Sequence, residues 1–248
     1  MAPHAPTTRD RQPNRTQRAA AAREAARRAR RRHRQRTFAV VAALVLAVTA
    51  GVAVQAARST SDGPSGTPAG TLTDGFGVPL GAKDAPVTVD VYEDFLCPAC
   101  EQFERAAGAE LREMAAEGLV RVVYRPIAFL DGYSTTRYST RALNAAGCAQ
   151  EGGRFPEMHD ELFRAQPPEG GPGLGDGQLV ALGARAGVTG DEFADCVRDL
   201  RFERWTQQAT DAASRAGVNQ TPTVRVNGHD LADPTVDGLR AAVATATH

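Results

Sequence analysis

The sequence predicts an α/β fold in which a βαβ unit is followed by a helical insert and then by a last strand and helix. Residues 87–91 (VTVDV) and 119–127 (LVRVVYRPI) have the β-branched composition of strands. Residues 101–117, between them, are rich in Glu, Ala, Arg and Met and stop at Gly118, as a helix does. A strand, a helix and a second strand this close together in the sequence predict a βαβ unit, in which the two strands are parallel.

The remaining elements follow in a helical block and a short β/α end. A helical insert is expected over about residues 128–200. Helical patterns separated by Gly and Pro breaks cover residues 134–151, 155–165, 176–186 and 191–216. A strand at 223–226, an Asn227-Gly228 turn suited to a hairpin and a helix from about Thr235 complete the pattern.

Composition divides the 248 residues into two opposed parts. An apolar fraction of 42% excludes disorder of the whole chain. Through Arg58 the chain carries thirteen Arg against Asp10 and Glu24, whereas the rest carries 16 basic and 27 acidic residues. Residues 1–36 lack the apolar side chains needed for a core, so we expect a disordered basic tail. No aromatic residue is interleaved there to stack on bases, so nucleic-acid binding is not expected.

The uncharged segment 37–57 has the length of a membrane helix, since roughly twenty residues cross the hydrocarbon layer. Twelve Arg precede it, which predicts a cytoplasmic N-terminus and export of the rest. We expect a single-pass signal anchor in the cell membrane. Cleavage after a small-residue site near Ala56 is the alternative. Residues 58–71 read as a flexible linker, and residues 72–248 as the folded domain.

Cys97-Pro98-Ala99-Cys100 lies where the first strand ends and a helix begins. Unpaired N–H groups and the dipole at a helix start favour a thiolate, and Pro98 fits the first turn. We therefore expect an ionised, solvent-open Cys97 that attacks substrates and a shielded Cys100 that resolves the mixed disulfide. The alternatives are that the pair supplies half of a zinc site or forms an inert disulfide. Cys148 and Cys196 are isolated cysteines and lack the paired spacing that the other half of a zinc site would need.

Thr221-Pro222 supplies a second motif, in GVNQTPTVRVNG. An X-Pro bond adopts the cis form more readily than other peptide bonds. A cis proline here would let Thr221 offer main-chain hydrogen bonds to an extended substrate. An ordinary trans proline at a strand start is the alternative.

APVTVDVYEDFLCPAC, the following helix and GVNQTPTVRVNG together resemble the DsbA-like branch of the thioredoxin superfamily, in its membrane-anchored actinobacterial type. The resemblance covers about residues 74–246. It implies a thioredoxin fold with a helical insertion, Cys97 as nucleophile, Cys100 as resolving thiol and Pro222 as the cis proline opposite them. It also implies that Pro98, Ala99 and Thr221 contact substrate.

Two departures from the family concern proton and charge handling. Ala99 stands where strongly oxidising relatives often carry His, which implies a less oxidising pair. Val91 stands where many relatives place a buried acid. Glu93 or Asp94 could handle protons instead, or both could be solvated.

Cys148 and Cys196 are expected to form a structural disulfide, because spare thiols outside the cytoplasm tend to pair. Free thiols or a second redox relay are the alternatives. The five histidines form no cluster in the sequence, so His159 and His229 are expected at the surface and no metal site is predicted.

We thus expect an enzyme that introduces disulfides into exported proteins, without a bound cofactor, and that works as a monomer. A quinone-linked membrane protein similar to DsbB or to vitamin K epoxide reductase would reoxidise it. A reductase or isomerase using the same cysteines, and a non-catalytic adaptor on a thioredoxin scaffold, are the alternatives.

Overall fold

The computed structural model describes residues 66–74 and 76–247. The basic tail, the membrane segment 37–57 and linker residues 58–65 lie outside this part of the chain. Among the described residues no helix combines the length and the apolar character that crossing a bilayer requires.

A five-stranded sheet with the order β1–β3–β2–β4–β5 forms the centre of the fold. The strands are β1 (Val78–Leu80), β2 (Val87–Glu93), β3 (Val120–Pro126), β4 (Thr223–Val226) and β5 (His229–Asp230). β2 and β3 are parallel, as the βαβ prediction requires, and the other pairs are antiparallel. The sequence analysis did not predict β1, a three-residue edge strand that contains a proline.

Helices connect and cover these strands. Between β2 and β3 the chain forms α1 (Pro98–Phe103), a π-helical turn (Glu104–Gly108) and α2 (Ala109–Ala116). The insert contains α3 (Tyr138–Glu151), α4 (Phe155–Arg164), α5 (Asp176–Arg185) and α6 (Asp191–Arg198). α7 (Glu203–Arg215) returns the chain to β4, and α8 (Val236–Ala246) ends the fold. The predicted thioredoxin-like arrangement with a helical insertion is therefore present.

The helix predicted over residues 191–216 is two helices, α6 and α7. Leu200 has a left-handed φ of 50°, which ends the first helix. The break brings Phe202 into the core at 4% exposure. Its N–H donates to Oδ1 of the buried Asn144, at 2.8 Å. Burial of an aromatic ring and a satisfied amide thus outweigh the helical pattern of the local sequence.

The packed domain begins before residue 72, so the end of the predicted linker is not free. Pro68 is buried, and its ring and the Trp205 ring both lie beside Gly147 of α3. The N–H of Ala69 donates to Glu151 Oε1 at 2.7 Å, and its carbonyl accepts from the Gln150 side chain at 2.8 Å. These contacts attach residues 68–69 to α3.

A disulfide joins Cys148 of α3 to Cys196 of α6, with an S–S distance of 2.01 Å. Both cysteines are buried in the core of the insert. The expected pairing is confirmed, and this bridge connects two helices that lie 48 residues apart in sequence.

Candidate active site

Cys97 caps the beginning of α1, four residues after the end of β2. Its backbone is extended (φ −77°, ψ 116°), and Pro98 begins the helix. The Cys97 carbonyl accepts hydrogen bonds from the N–H groups of Cys100 (3.1 Å) and Glu101 (3.2 Å). The predicted position of the cysteine pair at a helix start is confirmed.

The Cys97 side chain is less open than the sequence suggested. The residue is only 6% exposed, and its thiol donates to the carbonyl of Thr221 at 3.4 Å. The cis Thr221-Pro222 bond places this carbonyl against the sulfur. Pro98 and Ala99 are exposed beside it. The Pro98-Ala99 turn and the Thr221-Pro222 loop therefore both lie next to the Cys97 sulfur.

The surroundings of Cys97 favour its ionised form. A hydrogen bond from the Cys100 thiol is the main cause that lowers the pKa of Cys97 from 9.0 to about 6. Burial opposes this shift, while a hydrogen bond from the Thr221 side chain and those from the N–H groups of Ala99 and Cys100 add to it. The helix start contributes as expected, but the neighbouring thiol contributes more.

Cys100 has the opposite character. It is completely buried, and burial is the main reason why its pKa rises far above the usual value. The thiol contact with Cys97 and the negative charge of Glu93 raise it further. At neutral pH the pair therefore combines one thiolate with one protonated thiol, as a nucleophile and a resolving thiol require.

Asp94 organises the loop that carries Cys97. Its side chain has no exposed surface, so the alternative of a solvated residue is wrong. Oδ1 accepts from the Leu96 N–H at 2.9 Å and Oδ2 from the Leu130 N–H at 2.8 Å. Burial nevertheless raises the pKa of Asp94 to about 6. The carboxyl group thus ties the active-site loop to the start of the insert.

Glu93 is also completely buried, and its partner is a histidine that we expected at the surface. His159 of α4 is 1% exposed, and its Nε2 lies 2.5 Å from Glu93 Oε1. The prediction of a surface His159 is wrong because α4 turns this residue into the core with Phe155 and Phe163. His229 is exposed, as expected.

The sequence analysis missed Glu104, which joins this cluster from the π-helical turn. A Cβ at Gly108 would clash with Glu104 Oε2, so the glycine makes room for the carboxylate. Burial, followed by the charge of Glu93, raises the pKa of Glu104 to about 7.

Glu93, Glu104 and His159 each offer an atom within 4.8 Å of the other two, and such a donor set can hold a divalent metal. His159 already pairs with Glu93 through Nε2, however, and Arg112 lies 4.0 Å from Glu104. These two groups balance the carboxylate charge without an ion.

Gln166, after α4, was another residue missed by the sequence analysis. Its side-chain amide donates to the carbonyls of Phe95 (3.1 Å) and Cys97 (3.0 Å). Nothing in the local sequence marks it, because its partners are about 70 positions away.

A thiolate at a helix start, a protonated thiol one turn inside and a cis proline against the sulfur define a thiol–disulfide oxidoreductase of the thioredoxin class. Comparison with known proteins agrees with this class. The thioredoxin family matches residues 73–245, so the chain belongs to that family.

Two solved structures narrow the relationship. The disulfide bond oxidoreductase DsbG of Mycobacterium tuberculosis is 30% identical, with 75% of this chain and 96% of that chain covered and a TM-score of 0.61. DsbA of the same organism is 31% identical, with 69% and 99% covered and a TM-score of 0.56. The folded domain is thus an enzyme domain of the DsbA/DsbG type.

A domain of this kind also occurs within longer proteins. The Na(+)/H(+) antiporter NhaA 3 of Salinispora tropica is 35% identical over 167 residues, or 67% of this chain. The chain spans 24% of that relative's length.

Proposed function

We propose that this protein is an oxidase that uses a Cys97–Cys100 disulfide to introduce disulfides into exported proteins. The observation that carries the proposal is the lowered pKa of Cys97 beside the fully buried Cys100. A low pKa of Cys97 means that the reduced pair is stabilised in its ionised, thiolate form. A pair whose reduced form is stabilised gives up its disulfide readily and is therefore oxidising.

The reaction has two exchange steps. A substrate thiolate attacks Cys97 Sγ, a mixed disulfide forms, and Cys100 leaves and takes up a proton. A second substrate thiolate then attacks the substrate sulfur of that mixed disulfide. The substrate disulfide forms, and Cys97 leaves as the thiolate that Cys100 and Thr221 stabilise.

Pro98, Ala99, Thr221 and Pro222 border the route to Cys97 and are proposed to contact the substrate chain. Pro98 and Ala99 are exposed, and Thr221 is half-buried. Because Cys97 itself is only 6% exposed, a folded protein surface cannot reach it easily. An extended, unfolded segment fits this approach.

The proposed setting is the outer side of the cell membrane. Segment 37–57, with its preceding Arg-rich tail, supports a retained anchor whose N-terminus is cytoplasmic. An anchored monomer would remain close to exported chains and to a quinone-linked membrane oxidase similar to DsbB or vitamin K epoxide reductase. The cysteine pair itself carries the electrons, so the proposal includes no bound cofactor.

The redox equilibrium of the pair tests the direction of electron flow. The full chain in detergent micelles is equilibrated with glutathione buffers, and the reduced fraction of Cys97 and Cys100 is measured by alkylation and mass spectrometry. We expect a potential well above the roughly −270 mV of thioredoxin. A value near −270 mV would instead support the reductase.

The same preparation separates an enzyme from an adaptor. With oxidised glutathione added to regenerate the Cys97–Cys100 disulfide, the wild-type chain should oxidise a reduced, unfolded protein over many turnovers, and Cys97→Ser should abolish this turnover. Equal activity of the wild type and the variant would support an adaptor that uses its cysteines only for structure.

A further inference from the structure

Gln166 connects the helical insert with the turn that carries Cys97. Its side-chain amide donates one hydrogen bond to the Phe95 carbonyl at 3.1 Å and another to the Cys97 carbonyl at 3.0 Å. An amide NH₂ group has two hydrogens, which is enough for both bonds. The two bonds restrain the backbone on both sides of Leu96, immediately before α1 begins.

The Phe95 carbonyl depends on this amide. Phe95 is 0% exposed, so its carbonyl is removed from bulk water. Within residues 66–74 and 76–247, Gln166 is the only hydrogen-bond donor to this oxygen. A buried carbonyl that loses its donor is costly. The turn would therefore change its shape if the amide were removed.

The backbone that carries Gln166 is itself restrained. Its N–H donates to the Phe163 carbonyl of α4 at 3.2 Å. Pro167 follows directly, and a residue before a proline is largely limited to extended conformations. Further along the same loop, the Gly170 N–H donates to the Tyr133 carbonyl at 2.7 Å. An amide on such a backbone can hold a second segment of the chain in one position.

The place of the Cys97 sulfur decides which groups it contacts. A single side-chain torsion separates the sulfur from the main chain, so the backbone at Cys97 largely determines where the sulfur lies. In the observed position the Cys100 thiol, then the Thr221 side chain and the N–H groups at the helix start, outweigh burial and lower the pKa of Cys97 to about 6. A displaced turn would weaken these contacts.

The contacts of the Cys97 sulfur favour the reduced form of the pair. In the Cys97–Cys100 disulfide the Cys97 sulfur carries no charge, and a covalent bond replaces the hydrogen bond from Cys100. A contact that stabilises the thiolate is therefore made only after reduction, and it makes the disulfide a stronger oxidant.

We propose that Gln166 is a positioning residue that keeps the Cys97 sulfur among the groups that stabilise its thiolate, and that it thereby sets the oxidising strength of the pair. It acts through the Phe95 and Cys97 carbonyls rather than through the sulfurs. The inference rests on the proposed redox function, because only a redox-active pair has an oxidising strength.

The test compares two variants of Gln166 with a matched variant elsewhere. Gln166→Met keeps the length of the side chain and removes the donor, whereas Gln166→Glu replaces the amide by a carboxylate. Gln150→Met is the control. The Gln150 amide likewise donates to a main-chain carbonyl, that of Ala69 at 2.8 Å, which is outside the active site.

Two measurements on the full chain in detergent micelles report on the pair. The rate of iodoacetamide labelling of the reduced chain against pH gives the alkylation midpoint of Cys97. Equilibration with glutathione buffers gives the ratio [GSH]²/[GSSG] at which half of the pair is reduced. The near-UV circular dichroism spectrum shows whether each variant keeps its packed fold.

We expect Gln166→Met to raise the alkylation midpoint from near 6 by about half a pH unit or more, since a lost hydrogen bond has an effect of this size. At pH 7 the glutathione ratio should then rise about threefold. Gln166→Glu should raise the midpoint further, because a negative charge beside Cys97 disfavours the thiolate. Gln150→Met should match the wild type in both measurements.

A folded Gln166→Met variant with the wild-type midpoint and glutathione ratio would overturn the inference, since the amide would then only satisfy two carbonyls. An equal rise in Gln150→Met would overturn it as well. If Gln166→Met does not fold, Gln166→Asn takes its place, because its shorter amide cannot bond to both carbonyls. A wild type that does not exchange with glutathione would remove the proposed function together with the inference.

Discussion

At the level of single residues, the acidity of Cys97 depends on a partner three positions along the chain. The Cys100 thiol is the largest cause of the lowered pKa, ahead of Thr221 and the helix N–H groups. This order is a property of the folded loop, since the two side chains meet only when α1 has formed. The Cys-x-x-Cys spacing therefore predicts the reactive pair, whereas the contribution of each contact needs coordinates.

The pH dependence of Cys97 alkylation tests this contact. In the reduced full chain the rate with iodoacetamide should rise with pH around a midpoint of about 6, because only the thiolate reacts. Cys100→Ala removes the donor and should move the midpoint upward, toward the ordinary thiol value. Cys100→Ser keeps a hydroxyl donor and should move it less. Equal midpoints in all three proteins would assign the low pKa to Thr221 and the helix start instead.

Local motifs made part of the site predictable. The Cys97–Cys100 pair and the cis Pro222 follow from short segments, and both are where the sequence analysis expected them. His159 and Glu104 depend on helices that pack together from distant parts of the chain. A signal for His159 did exist, because it is spaced four residues from both Phe155 and Phe163 and so shares the apolar face of α4.

At the level of elements, the helices of the insert pack closely through glycine. Gly183 of α5 lies against Phe193 of α6, and a Cβ at this position would overlap the ring. Gly177, in the same helix, has no neighbouring atom within 4 Å of such a Cβ. The sequence predicts both helices, but nothing in it distinguishes these two glycines.

Alanine substitutions at the two positions should change stability in opposite directions. Gly183→Ala should lower the free energy of unfolding by about 1–3 kcal/mol, because the added methyl overpacks the α5–α6 contact. Gly177→Ala should raise it by about 0.4–1 kcal/mol through the reduced entropy of the unfolded chain. Guanidinium unfolding of both variants measures the difference. Destabilisation of both to the same extent would contradict the packing described for Gly183.

Other elements show where sequence patterns stop being informative. β1 has only three residues, Val78–Leu80, and its pairing with β3 across more than 40 positions defines it as a strand. The π-helical turn, Glu104–Gly108, lies inside a segment that reads as one continuous helix. Its function is local, since it directs the Glu104 carboxylate into the core beside Gly108.

At the level of the whole molecule, two regions of the fold meet at the active site. The sheet and α1 carry the cysteine pair, and the insert, held by Cys148–Cys196, carries His159 and Gln166. The order of elements along the sequence predicted the sheet with its helical insert, and the presence of two spare cysteines predicted the disulfide. The contacts between the two regions were not predictable, because they join residues about 70 positions apart.

Removal of the disulfide should weaken the fold and leave the chemistry of Cys97 intact. For a bridge spanning 48 residues the entropic contribution is at most about 4 kcal/mol. The comparison of Cys148→Ser/Cys196→Ser with its parent is made in a Cys97→Ser/Cys100→Ser background, so that only this bridge differs. We expect the protein without the Cys148–Cys196 bridge to unfold at a lower guanidinium concentration than its parent. With Cys97 and Cys100 restored, an alkylation midpoint away from about 6 would show that the bridge reaches the active site.

The amide of Gln166 has a wider consequence for how such domains can be altered. It restrains the carbonyls of Phe95 and Cys97 from the far end of α4, so the reactive turn is built partly by a segment that follows it by about 70 residues. A chimera that exchanged the helical block for that of another protein would therefore also exchange one wall of the catalytic loop. Replacement of the insert would then alter cysteine reactivity at the same time.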